Sequence, residues 1–552
     1  MKKKTVIYQV MPRWFGNPNA NCQTNGSLEE NGCGKLNDFT PAVLKHIKDL
    51  GVTHVWYTGI LRHATQTDYT LYGIPSQHPD VIKGKAGSPY AVTDFYDVHP
   101  TLAVEPFQRM VEWEQLIKRT HQAGMKVIMD FVPNHVARQY CSIAKPEGVR
   151  DLGQDDDTSM NFSTKNNFYY CWGQPLNLNM IVQQQSYQEC PAKATGNDHF
   201  NATPTSQDWY ETVKLNYGID YCDAGGRSEH FSPIPDTWSK MTDILLYWAQ
   251  KGVDGFRCDM AEMVPVQFWQ WAIDKVKFAY PDILFIGEVY NPSLYRQYVD
   301  AGYDYLYDKV GMYDCIRDVI CDNRAAADIT QQWQQTDDIK DHMLYFLENH
   351  DEQRIASDFF AGKAENGVAG MIVSTLLMKN PVMIYAGQEW GERGMQQEGY
   401  SGTDGRTTIF DYWHVDSVYR GYFDRRRIKK EEKALNSVYQ RILNIANEER
   451  AIREGDTFDL MYVNPHISHR QFAFLRKAGT EVILVVANFA DYEANIDLRI
   501  PEHAFTFLGL PERPFVATDL ISGRSYTGEL KADGLVRLPL PANGGLVLKL
   551  KL

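Results

Sequence analysis

Short apolar runs recur along the chain, each followed by a stretch with helical spacing. The runs fall at residues 6–11, 54–59, 126–132, 253–259, 283–289, 303–307, 343–348 and 381–385. Helical faces lie between them. Phe107, Met110, Val111 and Ile117 are predicted to share one face after the second run. After the fourth, Trp269, Ala272, Ile273 and Val276 follow the i, i+3, i+4, i+7 pattern. Alternating strands and helices predict a parallel sheet, and eight βα units suffice to close a (β/α)8 TIM barrel.

Two intervals break the pattern. Far more chain separates runs three and four than a βα connection needs, and it is rich in Asn, Gln, Asp and Tyr. Residues 137–232 are therefore read as an inserted subdomain over the C-terminal face of the barrel. The barrel itself is assigned to 1–136 and 233–454. From 455 to 552 the pattern changes to strict alternation. Leu546, Leu548, Leu550 and Leu552 fall on one face, opposite Lys549 and Lys551. That tail predicts a C-terminal antiparallel β-sandwich domain.

Composition narrows the function. The formal net charge of −14 argues against nucleic acid and anionic membranes as partners. No apolar run is long enough to cross a membrane. The start, MKKKTVIYQVMPRWFG, is interrupted by Gln9, Pro12 and Arg13, so it reads as a first buried strand and not as a secretion leader. The nine cysteines include no CxxC pair, which points to free thiols in a reducing compartment. A cytoplasmic location is the expectation. Cys258 is assigned to core packing. The chain is rich in aromatics, with 32 Tyr, 25 Phe and 12 Trp. They suit a large core and also the stacking of sugar rings.

The candidate chemistry sits at the ends of the runs. Asp259 ends GVDGFRCD, Glu288 follows ILFIG, and Asp351 follows FLENH. Active sites of βα barrels form at these strand ends. Arg257 is two residues before Asp259 and faces the same way. It is expected to keep that aspartate ionised and aimed at an anomeric carbon. Glu288, raised in pKa by burial and neighbouring acids, would protonate the leaving oxygen. Asp351 would be a third acid, with His135 and His350 donating to sugar hydroxyls. Paired carboxylates of this kind cleave glycosidic bonds.

DFVPNH, GFRCDMAEM, GEVY and ENHD resemble the four signatures of glycoside hydrolase family 13, the α-amylase family. GSPYAVTDFYDV, VKLNYG, YDYLYDKVGMYD and PVMIYAGQEWGE extend the resemblance from Tyr8 to about Trp413. It implies a retaining hydrolase of α-1,4-linked glucans or maltooligosaccharides. A transglycosidase or an α-1,6- or disaccharide-specific relative is the alternative, and a non-catalytic carbohydrate-binding or partner protein is a third reading. The implied roles are Asp259 as nucleophile, Glu288 as acid/base and Asp351 as transition-state stabiliser. Arg257, His135, His350 and Tyr90 form the sugar subsite, with Asp130 as buried partner of the arginine.

Glu262 and Met263 stand where amylases of this type often carry Lys and His, so Glu262 is placed among the substrate contacts. Asn134 matches a calcium ligand. Lys214 replaces an aspartate that often accompanies calcium, and its ammonium is expected to occupy the cation's place; no cofactor is required on this reading. Ala91 replaces an aspartate of some exo-glucosidases, which leans towards endo-cleavage or oligosaccharide processing. Tyr169, Tyr170, Trp172, Trp209 and Tyr217 in the insert are cleft candidates, one or two of them expected to touch sugar. The oligomeric state is left open.

Overall fold

The computed structural model describes residues 3–223 and 225–551. Eight parallel strands close a barrel: β1 (Val6–Val10), β2 (His54–Tyr57), β3 (Lys126–Phe131), β4 (Gly255–Cys258), β5 (Leu284–Gly287), β6 (Tyr305–Tyr307), β7 (Met343–Phe346) and β8 (Val382–Tyr385). The order around the barrel follows the chain, with β8 pairing back to β1. All eight predicted strands are present. Several stop earlier than the apolar runs do, so Asp259 and Glu288 stand just past the last residue of β4 and β5.

Alternation divides each strand between two cores. Inward side chains fill the barrel axis: Ile7, Trp56, Ile128, Ile286, Tyr307, Leu344, Phe346 and Met383 pack into one cluster. Strand β4 contributes no apolar residue to this layer; its inward residue is Arg257. Outward residues such as Cys258, Phe256 and Phe285 join the larger core between barrel and helices. The helix Val266–Ala279 buries Trp269, Ala272, Ile273 and Val276 as expected.

The helix after β2 needs a correction. It spans Arg109–Gln122 and buries Trp113, Leu116, Ile117 and Thr120. Phe107 lies in a preceding turn and is exposed, as is Val111. Val111 is two residues from Trp113, about 200° around the helix, and so faces away from the barrel.

Between β3 and the helix Asp236–Gln250, the chain forms short antiparallel pairs. His135–Ala137 pairs with Thr212–Lys214, and Tyr170–Cys171 with Ala192–Lys193. This insert has its own apolar cluster, including Leu176, Leu178 and Tyr187, which also takes in Val81 from the loop after β2.

The C-terminal region contains β9 (Asp456–Asp459), β10 (Gln471–Ala478), β11 (Glu481–Asn488), β12 (Ala494–Arg499), β13 (Arg513–Asp519), β14 (Ser525–Leu530), β15 (Leu535–Leu540) and β16 (Gly544–Lys551). Six form an antiparallel sheet in the order β9-β10-β11-β16-β13-β14, and β12 pairs with β15 separately. Leu546, Leu548 and Leu550 are buried along β16, while Lys551 is exposed; Leu552 lies outside the described residues.

Arg476 on β10 is fully buried. It donates to Leu376 O (2.8 Å), Ile452 O (2.9 Å) and Gly455 O (2.9 Å), which ties this sheet to the last turns of two barrel helices. No helix among the described residues is long and apolar enough to cross a membrane.

Candidate active site

The same alternation that fills the barrel builds the site above it. Two residues beyond Ile128 on β3 stands Asp130; two beyond Arg257 stands Asp259; two beyond Ile286 stands Glu288. On β3 and β5 an apolar residue thus gives way to an acid in one step of the pleat, while on β4 Arg257 already carries charge below Asp259. Hydrogen bonds from Asp259 N to Phe131 O (2.9 Å) and from Glu288 N to Cys258 O (3.1 Å) continue the ladder and fix both backbones. Arg257 is in register with Asp130 on β3.

Arg257 is completely buried and joins these acids. Its Nη1 lies 2.7 Å from Asp259 Oδ1 and 3.7 Å from Asp130 Oδ1, and its Nη2 lies 2.8 Å from Glu288 Oε2. Its Nε donates to Tyr307 Oη at 3.2 Å. The rings of Trp56, Tyr90 and Tyr307 surround the guanidinium at 5.2–5.6 Å, within cation–π range. Glu288 is held further by Met260 N (2.7 Å) and Tyr290 Oη (2.8 Å).

The electrostatics differ from the expectation at Asp259. Burial pushes the Asp259 carboxyl well above the usual carboxylate range. Arg257 pulls it down, while the charges of Glu288 and Asp351 push it up. The arginine therefore orients Asp259 without overcoming desolvation. Asp351 is pushed up to about 7, by burial and by Glu288. Asp130 is pushed up to about 6 by burial, against the pull of Arg257. Acids packed this closely titrate as a group, so the cluster holds protons near neutral pH.

Two histidines flank the carboxylates. His350 Nε2 lies 2.6 Å from Tyr90 Oη and 3.2 Å from Asp351 Oδ2, and its Nδ1 lies 2.8 Å from Gln9 Nε2. Burial and the nearby Arg257 hold it well below the usual histidine range. His135 is lowered to about 3, by burial and then by Lys214 and Lys83. Both rings are neutral at physiological pH and present one donor and one acceptor each.

A cleft of about 380 Å3 opens over these groups. Asp259, Glu288, Asp351, Tyr90 and His135 line it, together with Lys83, Trp209, Glu211, Met260, Tyr290 and Phe410. Of the insert aromatics, Trp209 alone lines the cleft, packed against His135 at 5.2 Å between ring centres. Tyr169, Tyr170 and Tyr217 are buried in local packing, and Trp172 is exposed elsewhere. Glu262 does not line the cleft. Its carboxylate turns into the loop after β5 and accepts from Tyr290 N (3.1 Å) and Asn291 N (2.9 Å), so it braces the segment that carries Tyr290.

A family profile described as the α-amylase catalytic domain matches residues 9–455. The chain belongs to the α-amylase family. It is a glycoside hydrolase. α-Amylase 3 of Dictyoglomus thermophilum is 23% identical over 489 residues, covering 82% of this chain and 79% of that protein. Neopullulanase 2 of Thermoactinomyces vulgaris is 22% identical over 99% of this chain and 77% of its own length. Among solved structures, the α-amylase of Geobacillus thermoleovorans in complex with acarbose superposes with a TM-score of 0.66 at 20% identity, over the full length of both chains. At that identity the superposition shows the shared fold.

Within this α-amylase-family frame, several site residues are not singled out by the sequence, although Met260 and Tyr290 stand inside GFRCDMAEM and GEVY. Tyr290 and Met260 touch Glu288 because of where the loops after β4 and β5 turn. Met260 has φ +43°, a left-handed conformation that a methionine rarely adopts, and this aims its N–H at the carboxylate. Lys83, Glu211 and Phe410 come from three distant segments and meet only in the fold.

At Lys214, the residues present do not fit a divalent cation. Its ammonium contacts Asn134 Oδ1, Asp198 Oδ1 (2.7 Å) and Met263 O (3.1 Å), and the side chain is buried. Three oxygens converge on a nitrogen that already carries positive charge, where a calcium site would gather oxygens around the ion.

Proposed function

We propose that this protein hydrolyses α-1,4-linked glucans or maltooligosaccharides with retention, through a covalent glycosyl-enzyme. Asp259 attacks the anomeric carbon as Glu288 gives its proton to the departing glycosidic oxygen. Glu288 then takes a proton from water, whose oxygen displaces Asp259 and releases the sugar. Asp351 and the neutral His350 hold sugar hydroxyls while positive charge develops on the ring, and Tyr90 lies against its face.

The observation that carries the reading is one guanidinium touching both Asp259 and Glu288. It keeps the two acids close, as suits retention at about 5–5.5 Å and not inversion at about 6.5–9.5 Å. Relatives named as α-amylase, neopullulanase and cyclomaltodextrinase support α-glucan substrates. The Lys214 ammonium supports activity without calcium. Nine unbridged thiols support the cytoplasm as the site of action, which cell fractionation would check.

The test is kinetic. Asp259→Asn is expected to lower turnover of maltoheptaose by at least about 10⁴-fold, and Glu288→Gln by about 10²–10⁴-fold. Circular dichroism and melting temperature should stay near those of the parent. Near-normal turnover in either variant would overturn the assignment. Chromatography of products from maltoheptaose, pullulan, isomaltose and trehalose fixes the bond; products longer than the substrate would count against simple hydrolysis.

A further inference from the structure

The two oxygens of Glu288 are held in different ways. Oε2 faces fixed positive ends: Arg257 Nη2 lies 2.8 Å away, and Met260 N donates to it at 2.7 Å. The next residue, Ala261, donates its N–H to Glu288 O at 3.0 Å, so this side of the residue is locked to the loop after β4. A proton on Oε2 would oppose a cation and a fixed donor. The proton of the acid form therefore belongs on Oε1.

Oε1 has a partner of another kind, the hydroxyl of Tyr290 at 2.8 Å. A hydroxyl turns between donor and acceptor, which a backbone N–H or a guanidinium cannot do. It leaves room for a proton on Oε1 and donates to the same oxygen once that proton has gone. Burial, and then the charge of Glu288, hold the phenol well above the usual tyrosine range, so it keeps its own proton throughout.

Tyr290 is fixed at both ends. Its half-buried ring packs against the cluster on the barrel axis and lines the cleft. Its N–H donates to Glu262 Oε2 at 3.1 Å, beside that of Asn291 at 2.9 Å. The other charged or titratable groups facing Glu288 are Arg257 and Asp259 at the end of β4, Tyr307 on β6 and Asp351 after β7. Arg257 is the cation among them, and its closest contact is with Oε2.

Resting on the proposal that Glu288 is the acid/base, we infer that Tyr290 is a positioning residue that stabilises the charge Glu288 acquires on giving up its proton. As the glycosidic bond breaks, the Oε1–H bond breaks with it. The proton passes to the departing oxygen and negative charge appears on Oε1. Tyr290 donates to that charge, so its bond is stronger in the transition state than in the ground state, the condition for speeding the chemical step. In the second half Oε1 takes a proton from water and the bond relaxes. Glu262 supports the arrangement by holding the backbone that carries the phenol.

Two aryl α-maltotriosides of similar size test this, with 4-nitrophenol or 4-methoxyphenol as the leaving group. Nitrophenolate departs with little help from an acid, whereas methoxyphenolate needs the proton. Tyr290→Phe keeps the ring and removes the hydroxyl. It should lower kcat/KM for the methoxyphenyl substrate about tenfold, the scale of one hydrogen bond to a charged group, and for the nitrophenyl substrate by about threefold or less. Its alkaline limb should move to higher pH, because a charged Glu288 that has lost a donor forms less readily. Glu262→Ala, with the phenol present but its backbone released, is the second variant and should show the same contrast to a smaller extent. Equal losses on both substrates with an unmoved alkaline limb, or no loss on either, would overturn the inference and leave the hydrolase reading intact. Near-normal cleavage of the methoxyphenyl substrate by Glu288→Gln would overturn the acid/base assignment and the inference with it.

Discussion

Asp351 shows how position decides the charge of a single acid. It retains 43% of its side-chain surface, yet its carboxyl is pushed up to about 7 by burial among the cleft walls and by Glu288. Glu352 also raises it and Arg406 lowers it. In the proposed mechanism Asp259 and Asp351 both work ionised, so the acidic limb of kcat/KM should follow the apparent pKa of the group of acids they belong to. Glu352→Gln removes a neighbouring negative charge, lowers that pKa and should shift the limb to lower pH. Arg406→Gln removes a positive charge and should shift it to higher pH. Shifts of about half a unit to one unit are expected, each unit being about 1.36 kcal/mol, and pH profiles on maltotriose would read them. Asp130, Asp259 and Glu288 were legible in the sequence because a strand repeats every two residues, so each stands one pleat above an inward neighbour, whereas Asp351 lies in the loop five residues past the end of β7 and was found by its family motif, not by the pleat. The direction of Glu262 was not legible. Its partners, Tyr290 N and Asn291 N, belong to another loop, and no local pattern tells where a flexible carboxylate will turn.

At the scale of elements, Lys214 holds a strand of the insert against the loops after β3 and β4. Its three oxygen partners come from Asn134, Asp198 and Met263. Lys214→Ala would leave Asp198 facing two other oxygens with no cation. The expected loss is about 3 kcal/mol, the lower end for a broken buried pair because Asp198 keeps some contact with water. Millimolar calcium should then raise the melting temperature of the variant and leave the parent unmoved. A parent that loses activity on dialysis against EDTA would contradict this account. The eight barrel strands were readable because both faces of a parallel strand are buried, which leaves an unbroken apolar run. The helix after β2 misled because Phe107 and Val111 are apolar but exposed, and periodicity weighs residue type without knowing which side meets the barrel.

Across the whole molecule, Arg476 ties the C-terminal sheet to the barrel. It has no carboxylate partner among its hydrogen bonds and is held by three helix-end carbonyls, where the helix dipole favours a cation. Burial lowers its pKa to about 9. Arg476→Met is expected to cost about 3 kcal/mol by leaving those carbonyls without donors, with one unfolding transition retained in calorimetry. Two separate transitions would show that the sheet unfolds independently. The alternation of the tail revealed the sheet, but nothing in it marked Arg476 as the link, since arginine is ordinarily a surface residue. The placing of Arg257 between Asp259 and Glu288 has its own consequence for the order of events. In the proposed mechanism Asp259 loses its charge on bonding to the sugar, in the same step in which Glu288 gains one by giving up its proton. One fixed cation serves whichever acid is charged, so the site hands a negative charge from one side to the other without having to rebuild itself between the two halves of the reaction.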